Sequence, residues 1–371
     1  MVVINLFNIK TLENGPLPEI SFRSKNVFSR LSYLDWEVMP SHKRVLQLTG
    51  GGSYAITLPK SWVKRLDITE GAVLNVEALE DGSLLITPEG RKLTKNMSEI
   101  VIEDSPAIAR DIVGSYLMGF NIIKLKSSKP FKIETVNEIR KCVRRLAGAE
   151  IIEELPNSIE IQIMLDPEAV TPDKVLRRMG SLVNSMVSDS FASVISGDLN
   201  LAEKSLQRDE EVDRHYFTLV RIVRFAIRDP EIAKKMGLSQ LRLMDFRLVA
   251  KFLEDSGDHA ASISMEVLKN KGPQMPENML NTLSQLNDII TKTGMESVEA
   301  FLSEDVSLAL KVLEKKNEYS RLYEMVLSSL NYAPDNIRNY MTKIILNIER
   351  INENNIDIAE LTAPITVKAF L

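Results

Sequence analysis

Two pairs of carboxylates carry the clearest chemical signal in this sequence. Asp209 and Asp213 stand four residues apart in the run Ala202, Leu206, Asp209, Asp213, Tyr216, Val220, Val223, Ile227, whose spacings alternate between four and three. That period marks one face of an α-helix turned towards neighbouring helices. Acids in an apolar stripe cost roughly several kcal/mol to bury unless a positive charge or water meets them. Glu254 and Asp258 repeat the spacing beside the apolar face of Phe246, Val249, Leu253, Ala260, Ile263 and Val267, and His259 follows. Two such pairs on neighbouring helices form a cluster of oxygens suited to hard or borderline cations. The same spacing also suits the solvated flank of an amphipathic helix, so spacing alone leaves both readings open.

A second signal is basic. Lys43, Arg44, Lys60, Lys64 and Arg65 fall in a stretch without a single acid, and acids resume at Asp67. Such a cluster on a small domain suits a phosphate backbone; a solvated face carries clusters of the same size. Other residues offer less. Gly50-Gly51-Gly52 lacks the Gly-Lys-Ser/Thr ending and the G-x-G-x-x-G spacing of nucleotide loops. Cys142 is a lone thiol with no nearby His, which points to a structural role. His42, His215 and His259 are too scattered for a zinc site of their own, and Trp62 suits a domain core. The basic run from Lys124 to Arg145 reads as a solvated helix face. No nucleophile–base arrangement stands out, so the chain does not read as an enzyme.

The elements that must hold these residues follow from period and turn signals. Residues 1–40 lack a sustained period and are broken by Pro16, Pro18 and Pro40, so they are expected to be a disordered extension. Organised sequence begins just after Met39, which is a candidate start. In residues 41–90, short strands at Arg44–Thr49, Tyr54–Leu58, Ala72–Ala78 and Ser83–Thr87 surround a short helix at Ser61–Leu66, with a hairpin turn at Asp81-Gly82. Four short strands make a poor core for one chain, so this unit is expected to pair with a second copy. Residues 98–166 read as β-α-β-α-β-β, a small α/β connector. From Pro172 the pattern is helical, and it repeats. Residues 198–216 and 305–323 align without a gap at eight identities in nineteen positions, where about one is expected by chance. This predicts two copies of a three-helix bundle, over 171–270 and 271–371. In the second copy Lys316 and Ser320 stand where the first has Asp209 and Asp213, and Glu349, Glu353 and Asn354 match the second acidic pair only loosely.

Asp209-Glu-Glu-Val-Asp213-Arg214 and Phe252-Leu-Glu254-Asp-Ser-Gly-Asp258-His259-Ala260 resemble the paired acidic motifs of the PhoU family, which is built from tandem three-helix bundles. The resemblance implies regulation of phosphate uptake through a phosphate transporter or signalling protein. It also implies divalent, iron or zinc ions held by Asp209, Asp213, Glu254 and Asp258 in the first bundle, with a second site doubtful. Gly52-Ser53-x-x-Ile56-Thr57-Leu58-Pro59-Lys60-x-Trp62-Val63-Lys64-x-Leu66, followed by Gly71-x-x-Leu74-x-Val76 and Asp81-Gly82-x-Leu84-x-Ile86, resembles the AbrB/MazE/SpoVT type of DNA-binding domain. Two chains of that type exchange hairpins to close one barrel. This resemblance implies a homodimer that contacts DNA through Lys43, Arg44, Ser53, Lys60, Lys64 and Arg65. The combination resembles PhoU-type regulators of archaea.

The expected fold is therefore multidomain and mainly α: a small swapped-hairpin barrel, an α/β connector, then tandem three-helix bundles. Two other functions stay open, a transcription regulator answering a signal other than phosphate and a metal-binding scaffold whose front domain only dimerises. Composition sets outer bounds. A net charge of −5 confines any nucleic-acid role to a local patch. One cysteine excludes an internal disulfide and suits a reducing compartment. No apolar run reaches the roughly 18 residues of a transmembrane helix, and Asn8, Lys10 and Glu13 interrupt any signal peptide. A cytoplasmic protein without direct membrane insertion is expected.

Overall fold

A computed structural model describes residues 43–78, 82–89, 99–166 and 169–362. The expectations for residues 1–40 and Met39, and for Asp81 in its turn, lie outside them. The chain divides into two compact units, residues 1–94 and 95–371.

In the first unit, β1 (Gln47–Leu48) pairs antiparallel with β2 (Tyr54–Ala55) across the glycine turn. Gly51 and Gly52 hold φ of +90° and +87°, a region open to glycine at little cost. Thr49 clamps the turn by donating from its backbone N–H (2.8 Å) and its hydroxyl (2.9 Å) to the Ser53 carbonyl. Helix α1 (Lys60–Arg65) follows Pro59, whose fixed φ suits a helix start. Strands β3 (Leu74–Ala78) and β4 (Leu84–Pro88) form a second antiparallel hairpin, in register from Leu74↔Pro88 to Ala78↔Leu84. None of the described residues of this unit is buried. Val45 is 80% exposed, Leu48 69% and Tyr54 68%.

The second unit opens with a four-stranded sheet. Its elements run β5 (Glu99–Glu103), α2 (Ile108–Leu117), β6 (Ile122–Lys126), α3 (Ile133–Arg144), β7 (Ala149–Leu155) and β8 (Ser158–Ile163). Strand order is β5-β6-β8-β7, with β5 and β6 parallel and the other pairs antiparallel. Period-two alternation sets the faces: Ile159, Ile161 and Ile163 are buried, while Glu160 and Gln162 alternate with them. Ile108, Ile112 and Tyr116 of α2 and Ile139 and Val143 of α3 join them in one core.

The helical part has two three-helix bundles. The first comprises α4 (Pro172–Ser196), α5 (Leu199–Arg228) and α7 (Gln240–Asn270), with the short α6 (Pro230–Met236) between the last two. The second comprises α8 (Glu277–Ser303), a helix broken at Lys315 into α9 (Val306–Glu314) and α10 (Lys316–Leu330), and α11 (Asp335–Thr362). The repeated residues do matching work. Asp198 caps α5 by accepting from Asn200 N–H (2.8 Å), and Asp305 caps α9 by accepting from Leu308 N–H (3.0 Å). Ala202 and Ala309 are both fully buried. One hydrophobic core runs through both bundles, from Leu176 and Phe191 to Met341 and Ile348, so the two copies form one body. No described helix is long and apolar enough to cross a membrane.

The α/β sheet is fastened to this body through α5. Asp213, Phe217, Arg221, Arg224 and Arg228 recur at spacings of four and three, which puts them on one face. Phe217 packs against both the α/β core and the helical core. The arginines meet the C-terminal end of α2, where backbone carbonyls have no partner within the helix. Arg221 donates to the carbonyls of Tyr116 (2.5 Å) and Phe120 (3.0 Å) and to Asn121 Oδ1 (2.7 Å). Its guanidinium also lies 4.9 Å from the Tyr116 ring centroid. Arg224 reaches the Leu117 carbonyl (3.4 Å) and Arg228 the Met118 carbonyl (2.5 Å). Burial lowers the Arg221 pKa to about 10, which leaves it charged at neutral pH.

Arg221→Met keeps the apolar stem and removes these donors. It is expected to cost about 3 kcal/mol, because several buried acceptors lose a charged partner. Urea unfolding checks the cost, and amide exchange across α2 should rise. A change below about 1 kcal/mol would mean water replaces the arginine without loss.

Candidate functional site

Helices α5 and α7 bring the predicted acids together at the surface of the first bundle. The α5 stripe behaves largely as its period predicts: Ala202, Val220 and Val223 are buried, Tyr216 is 8% exposed, and Asp209 and Asp213 are half-buried. Ile227 departs from it and lies 39% exposed. Across from α5, Glu254 is half-buried and Asp258 exposed on α7. Oxygens of Glu254, Asp255 and Asp258 lie within 4.8 Å of one another, a spacing that can hold a metal ion. Asp209 and Asp213 do not enter that close group, but their charges act on it. Burial pushes the Asp209 carboxyl up to about 6, with repulsion from Asp213 and Glu254 adding to it. Asp258 is exposed as a residue, but partial desolvation of its carboxyl, and then Asp209 and Asp213, push it up to about 6 as well. Burial raises Glu254 to about 7 against the opposing pull of Lys251.

Three residues here escape a reading of the sequence. Asp255 stands inside the acidic run of α7, and its place beside Glu254 is the signal that could have found it. Lys251 donates to Glu254 and Asp255, both at 2.5 Å; its i, i+3 and i, i+4 spacing is the available signal. Arg145 pairs with Asp213. It belongs to the basic run expected to face solvent, and 68 residues separate the partners, so nothing local marks it. The remaining candidate side chains are engaged in packing or bonding. Cys142 is buried, its Sγ 3.5 Å from the Ala109 carbonyl, and burial raises its thiol to about 11, away from thiolate chemistry. His259 Nδ1 bonds Asn347 Oδ1 (2.8 Å), and His215 Nδ1 lies 2.7 Å from the Glu211 carbonyl.

The second bundle differs at the matching face. Lys316 and Ser320 are exposed. Glu349 accepts from the Tyr323 hydroxyl (2.9 Å), and Glu353 pairs with Arg350 (2.6 Å). Both carboxylates already have partners. In the front unit, Lys43, Arg44, Ser53, Lys60, Lys64 and Arg65 are all exposed, three of them on α1.

Comparison with known proteins identifies both parts. Residues 176–267 and 283–362 each match the model described as PhoU domain, one match per bundle. A phosphate-specific transport system accessory protein PhoU homolog of Aquifex aeolicus is 32% identical over 172 residues, covering 46% of this chain and 75% of the relative. The chain belongs to the PhoU family. A second family member with the same description, from Rhizobium meliloti, is 26% identical over 208 residues, 54% of this chain and 86% of the relative. The crystal structure of the phosphate transport system regulatory protein PhoU from Streptococcus pneumoniae is 20% identical, with a TM-score of 0.45 over 53% of this chain and 94% of that one. Residues 47–94 match the model described as antidote-toxin recognition MazE, bacterial antitoxin, so the front unit of this PhoU-family chain is MazE/AbrB-like.

The raised acids link stability to pH. An Asp at 3.8 in the unfolded chain and about 6 in the fold binds its proton more tightly when folded. Its stabilising contribution is complete below pH 3.8 and is lost as pH rises through about 6. In chelator, the double variant Asp209→Asn, Asp258→Asn should therefore melt higher than the parent above pH 7 and approach it near pH 4. A constant difference in melting temperature across that range would contradict the upward shift of these carboxyls.

Proposed function

We propose that this chain is a cytoplasmic regulator of phosphate uptake that couples a PhoU helical body to DNA. The carrying observation is the union, in one chain, of a PhoU repeat and a MazE/AbrB-like unit whose six basic or polar candidates are all exposed. The relatives' description as accessory proteins of phosphate-specific transport supports the phosphate part. The bundles would take their signal from a phosphate transporter or signalling protein. The front unit would act as a homodimer, because its apolar residues find no core within one chain. Those exposed residues equally favour a second reading, in which that unit only dimerises.

The full-length protein is expected to be dimeric by light scattering and to bind duplex DNA at low salt. Lys60→Ala, Lys64→Ala and Arg65→Ala together should weaken binding and flatten its salt dependence by about 0.9 log units for each phosphate no longer neutralised. Absence of binding at low salt would leave dimerisation alone. Mapping bound promoters in cells grown with and without phosphate then tests the signal.

The acidic face of α5 and α7 fits a cation. Its donors are hard carboxylate oxygens, half-buried except for the exposed Asp258, and mutually repelling. Asp209, Asp213, Glu254 and Asp258, joined by Asp255, would hold a divalent, iron or zinc ion. Such an ion would neutralise the cluster and stabilise the fold by mass action. Melting temperature should rise with Mg²⁺, Mn²⁺, Fe²⁺ or Zn²⁺. Asp209→Asn with Asp213→Asn should abolish the rise, and Glu349→Gln in the second bundle should leave it intact. Indifference to all four ions would make the acids a solvated flank.

A further inference from the structure

We propose that Arg145 is a built-in counter-ion of the acidic face, which a bound metal ion displaces, so that the α/β sheet loses one of its polar attachments to α5. The inference rests on the metal reading above and adds its regulation.

Arginine contacts of two kinds join the sheet to α5. Arg221, Arg224 and Arg228 bond backbone carbonyls of α2 and Asn121, groups remote from the carboxylates that would bind metal. The other contact is made by Arg145, at the C-terminal cap of α3, with Asp213. Asp213 is eight positions before Arg221, about 12 Å along the helix at 1.5 Å per residue. The two attachments are thus separate, and a cation competes for only one. Asp213 is well enclosed, its side chain 14% exposed, whereas Arg145 is 38% exposed. The arginine is thus the more exposed partner and has a path to water. Arg145 Nε is buried without a hydrogen-bond partner, so the guanidinium is incompletely satisfied where it sits. A divalent ion on Asp213 and Asp209 supplies the charge that Arg145 now supplies and repels the guanidinium at contact range. Free of Asp213, Arg145 stays at a helix C-terminus, where a cation is favoured. The sheet would then be held by the arginine ladder and the apolar packing around Phe217. It begins at Glu99, directly after the MazE/AbrB-like segment in sequence.

The test uses full-length protein and Mn²⁺. Titration calorimetry should find Arg145→Ala binding Mn²⁺ about tenfold tighter than the parent, equal to about 1.4 kcal/mol. Arg144→Ala removes the same charge from the exposed neighbour on that helix end and should leave affinity unchanged. Hydrogen exchange across residues 139–149 of the parent should quicken on Mn²⁺ loading, whereas the Arg145→Ala protein should exchange fast with or without the ion. The exchange measurement on the parent needs no variant to fold. Equal Mn²⁺ affinity of Arg145→Ala and parent, equal tightening by Arg144→Ala, or unchanged parental exchange would each overturn the displacement and leave the metal reading standing. No Mn²⁺ binding by parent or Arg145→Ala would remove the metal reading itself, and this inference with it.

Discussion

The union of sheet and bundles depends on Arg221. A helix that ends inside a protein leaves carbonyls needing donors, and α2 ends against the middle of α5. Arg221 is 1% exposed and donates to one of those carbonyls, Tyr116, to the Phe120 carbonyl just beyond the helix and to Asn121. Few other side chains could do this: the guanidinium carries several donors in a fixed plane and keeps its charge when buried. With α2 fixed, the sheet and α3 follow, and the end of α3 brings Arg145 to Asp213. Helix α5 therefore has two occupied faces. One is apolar and packs within the bundle; the other is largely polar and carries the sheet.

The repeat shows how specific that second face is. At the repeat offset, Asp213, Phe217, Arg221, Arg224 and Arg228 correspond to Ser320, Glu324, Ser328, Asn331 and Asp335. The second copy has no arginine in this set, and Ser320, Glu324, Ser328 and Asn331 are exposed. The shared residues are those the backbone needs, such as the caps Asp198 and Asp305 and the buried Ala202 and Ala309. Where the copies differ, one holds the sheet and presents an acidic cluster. The other ties its carboxylates to Tyr323 and Arg350.

Much of the fold was readable because local rules and tertiary structure agree here. The β-α-β-α-β-β order of residues 98–166 and the helical periods beyond Pro172 gave the elements found. The carboxylate faces were readable for the same reason: an acid in an apolar stripe breaks the pattern. The arginine ladder was not. Arg221 sits between Val220 and Ile222, and its partners are backbone carbonyls, which leave no mark in a sequence. Arg145 was hidden differently. It looks like any exposed base on a charged helix, and its partner is a distant acid. Ile227 shows the converse error, an apolar residue in the right period that reaches the end of its helix and the solvent.

The front unit raises a matter of quantity. Two hairpins and a helix of fewer than two turns, with none of the described residues buried, have little within one chain to offset the entropy of ordering. If closure comes from a second copy, its folding is a bimolecular reaction, and the folded fraction follows the amount of protein made. The helical body, by contrast, has a continuous core within one chain. Dilution would then unmake one end of the molecule while the other stays intact, and the level of expression would itself become an input to whatever the front unit controls.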